Sequence, residues 1–203
     1  MNKIWFVLFC LLAQQQAAQA QSPAPEGCTI IVSGDSVEIQ NPDDMLNTRV
    51  FVARSKRTEL LGYMDNTGKW LCEPQYEWLE SYSPSYSSGD KQISVAKKNG
   101  KYGFLRGGNK EFTPFVYENA EVHSHSPYVF CVKQGGKWGI LNGDNPEKQI
   151  AAPVYDSLLY DFGNHSPRID AYFFAQRQGK WGIIDLSANV LLPLHYDKLD
   201  KIS

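Results

Sequence analysis

Long apolar runs, charge of one sign and helical periodicity are all scarce in this chain of 203 residues, and each scarcity narrows what it can be. The longest apolar run, Ile4 to Ala13, holds about ten residues against the roughly twenty that a membrane-spanning helix needs. No run of like charge is longer than a pair such as Lys97-Lys98, and 20 basic side chains stand against 22 acidic ones. A balance so near neutral and so evenly spread does not point to nucleic acid or to an anionic membrane surface. Apolar residues nowhere recur convincingly at the spacing of an amphipathic helix. GxSxG, HExxH, a phosphate loop and a dinucleotide fingerprint are all missing, and no paired acids stand out as a general acid–base couple. The sequence therefore predicts a chain that is not an enzyme and holds no cofactor.

What the chain does have is a repeat. Its cleanest copy runs from Gly179 to Leu199 (GKWGIIDLSANVLLPLHYDKL), and four glycines anchor the copies: Gly62, Gly103, Gly139 and Gly182. Their spacing of about forty residues is the period of solenoids, propellers and hairpin arrays. A strand-like run precedes each anchor: Phe51–Arg54, Ser94–Lys97, Phe130–Lys133 and Phe173–Gln176. Between that run and the anchor lie Asn99-Gly100, Gly135-Gly136 and Gln178-Gly179, turn chemistry suited to a two-residue hairpin with positive φ. In the next strand the aromatic (Tyr102, Trp138, Trp181) and the residue two later (Phe104, Ile140, Ile183) share one face. The glycine between them leaves the other face bare, which suits close approach of a neighbouring backbone. A proline and then a tyrosine close each copy: Pro74 and Tyr76, Pro114 and Tyr117, Pro153 and Tyr155, Pro193 and Tyr196. The third strand is expected to end around the proline, where a missing N–H is tolerated.

These residues resemble the WG-repeat (KWG) family, whose unit reads approximately GKWGxID, a turn, then P and YD. Copies 3 and 4 match closely, copy 2 has Tyr102 for the tryptophan, and copy 1 is degenerate. Gly68-Lys69-Trp70 is a decoy, since it lies in the second turn of copy 1 rather than the first. The resemblance covers about residues 50–200 and implies a β-rich scaffold with no family-wide catalytic residue to carry over. The expected fold is all-β: four tandem three-stranded β-meander repeats, at about 50–80, 93–120, 129–159 and 172–201, preceded by a hairpin. A compact, propeller-like arrangement is favoured over an open stack because neither end shows a capping helix.

Ahead of the repeats, residues 1–20 read as a cleavable signal peptide: Lys3, the apolar stretch from Ile4, and Ala18-Gln19-Ala20 before Gln21. Residues 21–27 read as a flexible leader, and 28–203 as one domain. Export implies a periplasmic or secreted protein, without membrane insertion. The N-terminal hairpin is expected from Cys28 to Gln40 around Ser33-Gly34-Asp35, capping one end of the array or closing it against the last copy.

Cys28, Cys72 and Cys131 remain after export, and Cys28 with Cys72 is the disulfide pair expected. Cys131 stands at the position of Val95 and Phe174 and reads as a buried small hydrophobe. His123-Ser124-His125 with His165 offers metal-ligand types, but the plainer reading is polar loop residues, and no metal site is expected. Asp156, Asp185 and Asp197 fall at turns and strand ends, where Asx-type capping accounts for them.

Three loops share a Ser-Pro element: Tyr82-Ser83-Pro84, His125-Ser126-Pro127 and His165-Ser166-Pro167. Loops of a repeat scaffold commonly carry its binding surface. Tyr82, Ser83, Ser85, Tyr86, Ser87 and Ser88 have the composition of an adaptable recognition loop. His123, His125, Ser126, Tyr128, His165 and Ser166 are the further candidates. The function this supports is a non-catalytic protein-binding module. One concrete form is an immunity or inhibitor protein whose Ser/Tyr-rich loop blocks the active site of a secreted cell-wall-degrading toxin. The alternative is an envelope protein that binds peptidoglycan or another carbohydrate through exposed tyrosines.

Overall fold

The computed structural model describes residues 29–32, 35–40, 50–80, 93–108, 110–123, 129–161 and 171–199. Among them the chain forms 17 strands and no helix. The first sheet is β1 (Thr29–Val32), β2 (Asp35–Ile39), β3 (Val50–Ser55), β4 (Leu61–Asp65) and β5 (Trp70–Tyr76). The second is β6 (Trp78–Leu79), β7 (Ile93–Lys98), β8 (Lys101–Arg106) and β9 (Lys110–Glu111). The third is β10 (Asn119–His123), β11 (Val129–Gln134), β12 (Lys137–Asn142) and β13 (Gln149–Tyr155). The fourth is β14 (Ser157–Asp161), β15 (Tyr172–Arg177), β16 (Lys180–Asp185) and β17 (Val190–Tyr196). Strands follow one another in chain order within every sheet, so each sheet is a meander.

The anticipated hairpins form where the turn residues require them. Asn99 and Gly100 have φ of 53° and 73°, Gly135 and Gly136 60° and 74°, and Gln178 and Gly179 53° and 75°. Two successive positive φ values match the twist of the flanking strands, and they pin the register Gln134↔Lys137 and Arg177↔Lys180. The N-terminal hairpin also forms, with Val32 opposite Asp35, and β2 pairs with β3 at the front of the first sheet.

Two features differ from the expectation. The second, third and fourth sheets each have a strand more than the three-stranded unit, supplied by the residues that follow the tyrosine–acid pair. In the third and fourth sheets these are NAEVH and SLLYD, stretches too short and too mixed in hydropathy to declare themselves. The third strand also does not end at the proline in copies 1, 3 and 4, but continues to the tyrosine. Trp138 pairs with Tyr155 and Ile140 with Ala151, so residues 152–154 bow outward opposite Gly139. The same shift separates Leu61↔Tyr76 from Tyr63↔Cys72, and Trp181↔Tyr196 from Ile183↔Leu192. Proline is tolerated because it sits in a bulge of an edge strand, where no ladder bond needs its nitrogen.

The anchor glycine is what admits that bulge. A Cβ on Gly139 would lie 2.9 Å from the Ala151 carbonyl oxygen and 2.9 Å from the Pro153 nitrogen. On Gly182 it would lie 2.5 Å from the Leu192 oxygen, and on Gly62 2.3 Å from the Cys72 oxygen. All are backbone atoms that cannot rotate away.

The lysine and the acid of the repeat also find each other. Lys137 donates to the Asp156 carboxylate and Lys180 to that of Asp197. The acid serves the following turn as well: Asp156 accepts the Gly179 amide at 3.1 Å, and Glu118 accepts those of Gly135 and Gly136 at 3.0 and 2.9 Å. Asp185 instead caps its own turn, as anticipated, by accepting the Ser187 and Asn189 amides. Asx capping therefore explains Asp185, whereas Asp156 and Asp197 are tied to the repeat lysine.

The chain divides into two compact units, residues 1–99 with 105–110 and residues 100–104 with 111–203. In the first unit Val37, Ile39, Phe51, Ala53 and Met64 form a buried cluster with Trp70 packed against it. In the second, Val129, Cys131, Ile140 and Tyr155 of the third sheet pack with Leu158, Phe173, Ala175 and Ile184 of the fourth. Phe104 stacks on Phe130 at 4.2 Å between ring centroids. Each large side chain buried this way contributes about 1.5–3 kcal/mol relative to exposure.

Candidate functional site

The two ends of each sheet are built differently, and the difference locates the candidate site. One end of the third and fourth sheets carries the tight Gly-rich turn and the tyrosine–acid corner. The opposite end carries the connection between the first and second strands, after His123↔Val129 in the third sheet and Asp161↔Tyr172 in the fourth. The corresponding connections are 41–49 between β2 and β3, 81–92 between β6 and β7, 124–128 between β10 and β11 and 162–170 between β14 and β15; all four lie outside the described residues, and all but 124–128 are the longest of their sheet. Tyr82, Ser83, Ser85, Tyr86, Ser87, Ser88, His125, Ser126, Tyr128, His165 and Ser166 all fall in these stretches. Of the binding candidates only His123 lies within the described residues.

His123 closes β10 and is mostly buried. Its ring stacks on Tyr160 with centroids 4.2 Å apart and planes 11° from parallel, and it meets the edge of Phe173 at 5.9 Å. Tyr160 in turn meets Phe173 at 5.6 Å. Glu121, two residues earlier on the same face, places a carboxylate oxygen 3.6 Å from His123 Nε2. That separation is an ion-pair distance, too long for a hydrogen bond, and Nε2 has no hydrogen-bond partner among the described residues. Burial raises the Tyr160 phenol above its ordinary range. His123 is thus a packed root of its loop rather than a free tip.

In the first unit the root of the 81–92 connection is polar. The Tyr63 hydroxyl donates to the Glu80 carbonyl at 2.6 Å and lies 3.0 Å from Ser94 Oγ. The Glu80 carboxylate accepts the Val95 amide at 2.9 Å. Burial raises its pKa, and that hydrogen bond opposes the shift only in part. Sequence reasoning missed this trio. The available signal was Tyr63, which stands where the other copies have Phe104, Ile140 and Ile183. Tyr160 likewise stood outside the repeat pattern, and its contact with His123 had no local signature.

Cys72 and Cys131 are both buried with free thiols, so the expected Cys28–Cys72 disulfide is not formed in this structure; Cys28 lies outside the described residues. Burial pushes the Cys72 thiol up, and burial followed by the Glu121 charge pushes Cys131 up further. Both therefore remain thiols near neutral pH, and Cys131 is the small core residue anticipated. Among the described residues no group of three or more His, Cys, Asp or Glu is placed to hold a metal ion.

Residues 62–102 match the model of the WG containing repeat family. The matched span runs from the glycine of copy 1 to the aromatic of copy 2, not over the two copies that resemble the motif most closely by eye. The chain matches no curated protein and no solved structure. Together with the repeated Gly-anchored sheets, the match supports a WG-repeat protein.

Proposed function

We propose that the chain is a non-catalytic protein-binding module whose partner is held by the long connections, the 81–92 stretch first among them. The observation that carries this reading is the placement of the variable segments. In the first, second and fourth sheets the longest connection leads into the strand before the anchor hairpin, while the opposite end of the third and fourth sheets is locked by tight turns and lysine–acid pairs. A rigid frame that presents variable loops is how repeat scaffolds build recognition surfaces. Tyrosine among serine and glycine supplies contact area at low entropic cost together with adaptable hydrogen bonding. Read with the export signal of residues 1–20, this favours an envelope or secreted partner, in the concrete form a cell-wall-degrading toxin whose cleft the loop fills.

The test uses residues 21–203 as bait against periplasmic extract and competing cells, beside a variant with 82–89 replaced by Gly/Ser. Digestion of purified sacculi by any captured hydrolase is then followed with each bait added. A stoichiometric partner that is lost, with its inhibition, in the loop variant is the expected result. Capture indifferent to the loop would overturn the assignment of the site. Retention on sacculi with no protein partner would replace it with the carbohydrate-binding reading.

A further inference from the structure

Three side chains of the first unit, a thiol, a carboxamide and an amine, meet beside the bulge of β5. Gln75 Nε2 donates to Cys72 Sγ at 3.5 Å, and Lys98 Nζ donates to Gln75 Oε1 at 2.9 Å. The Cys72 S–H itself donates to the Glu73 carbonyl at 3.8 Å, so the sulfur turns lone-pair density toward the carboxamide. One acyl group is therefore flanked by sulfur on its nitrogen side and by an ammonium on its oxygen side.

The backbone explains the meeting. In a regular strand, residues three apart point to opposite faces. Here Tyr63 pairs with Cys72 and Leu61 with Tyr76, so residues 73–75 bow outward and the bulge returns Gln75 to the side of Cys72. The same bulge places Ala151 with Val154 in the third sheet and Leu192 with His195 in the fourth, pairs that carry neither a thiol nor an acyl donor. Lys98 reaches in from the end of β7, its Nζ 5.9 Å from the centre of the Tyr76 ring.

We infer that Cys72 and Gln75 condense into an internal thioester. The structure describes the pair before reaction, with the thiol free. Cys72 Sγ adds to Gln75 Cδ, Lys98 steadies the negative charge that grows on Oε1, and the carbon–nitrogen bond then breaks. The thiol proton leaves with Nε2 as ammonia, so one S–C bond replaces one C–N bond and nothing is oxidised or reduced. Holding the two groups in contact supplies the effective concentration that a free thiol and amide lack. Burial serves the product, since Cys72 is 7% exposed and a thioester kept from water is shielded from hydrolysis. The bond stores Gln75 as an activated acyl group, which a primary amine opens with return of the thiol. It forms once per chain and does not depend on what the loops bind.

Peptide mass mapping of the purified chain before and after methylamine tests it, with Cys72→Ala and Lys98→Met beside the wild type. The wild-type peptide that holds Cys72 and Gln75 is expected to be lighter than its sequence by one ammonia. Methylamine should then add once, at Gln75, as the Cys72 thiol reappears. Mapping by peptide is needed because Gln21, if it becomes the N-terminus, also loses ammonia by cyclising. C72A should keep its full peptide mass, and K98M should carry the bond in a fraction lower by about tenfold or more. Thermal melting verifies that both variants fold, and the wild-type reading needs neither. A wild-type peptide of full mass, with Cys72 free or in a disulfide, overturns the inference. So does an ammonia loss that persists in C72A, the mark of a direct amide between Lys98 and Gln75.

Discussion

Replacing Gly139 by alanine isolates the physical reason for the repeat's most regular residue. In an extended strand with open space, Gly→Ala is favourable by roughly 0.4–1 kcal/mol, because it restricts the unfolded chain. At this position the new Cβ would meet the Ala151 oxygen and the Pro153 nitrogen at 2.9 Å, whereas ordinary contact begins at 3.4 Å. β13 would have to recede by about half an ångström, and it is not free to do so. Tyr155 belongs to the buried cluster, and Ile150, Ala151 and Val154 pack against it. Overpacking of this size costs about 1–3 kcal/mol, and loosening one ladder bond adds about 0.5–1.5 kcal/mol. The expected loss is therefore about 2–4 kcal/mol, and at about 2–4 °C per kcal/mol for a chain of this size the Tm falls by roughly 4–16 °C. Gly136→Ala is the control: φ there is +74° with nothing within 4 Å, so only the left-handed backbone penalty of about 1–2 kcal/mol applies. Urea and thermal denaturation of both variants decide the matter. A G139A protein as stable as the wild type, or no less stable than G136A, would refute the close-approach argument.

Two further predictions follow from titrating groups. The hydrogen bond from Lys137, then that from the Gly179 amide, holds Asp156 below its ordinary 3.8. A depressed folded pKa contributes stability above 3.8 that is lost as pH falls through the folded value. Asp156→Asn should therefore flatten part of the acid limb of a Tm-against-pH curve, and an unchanged limb would count against the lysine–acid pairing. Glu80 has the opposite sign: burial raises its pKa above the ordinary 4.5, so stability is greatest below 4.5 and falls as pH rises through the folded value. Glu80→Gln keeps an acceptor for the Val95 amide and should raise the Tm at pH 7 while leaving it nearly unchanged at pH 4. A lower Tm at pH 7 would show that the carboxylate, not its burial, dominates there.

How much of this was legible without coordinates depends on the range of the interaction concerned. Hairpin turns at Asn99-Gly100 and Gly135-Gly136 could be read directly, because positive φ is a local demand that few residues meet. The role of Gly139 could be read as well, since bare backbone beside an aromatic has few other uses. The extra strand of the second, third and fourth sheets could not. NAEVH and SLLYD have little propensity of their own and become strands by hydrogen bonding to β11 and β15. Proline's place in a bulge also escaped, because the bulge is a relation between two strands rather than a property of either. The site divided the same way: serine and tyrosine in the 82–88 stretch were visible as composition, whereas Tyr63 with Glu80 and Ser94 meet only across strands.

Local chemistry by itself thus determined the repeat, its turns and its all-β character, because glycine, proline and alternating aromatics act within a few residues of themselves. Only the tertiary structure decided which faces those strands bury. Phe174 and Cys131 occupy the same position of the repeat, yet one is partly open and the other lies beneath a neighbouring sheet. Burial is set by what packs on top, and that belongs to no residue's own sequence.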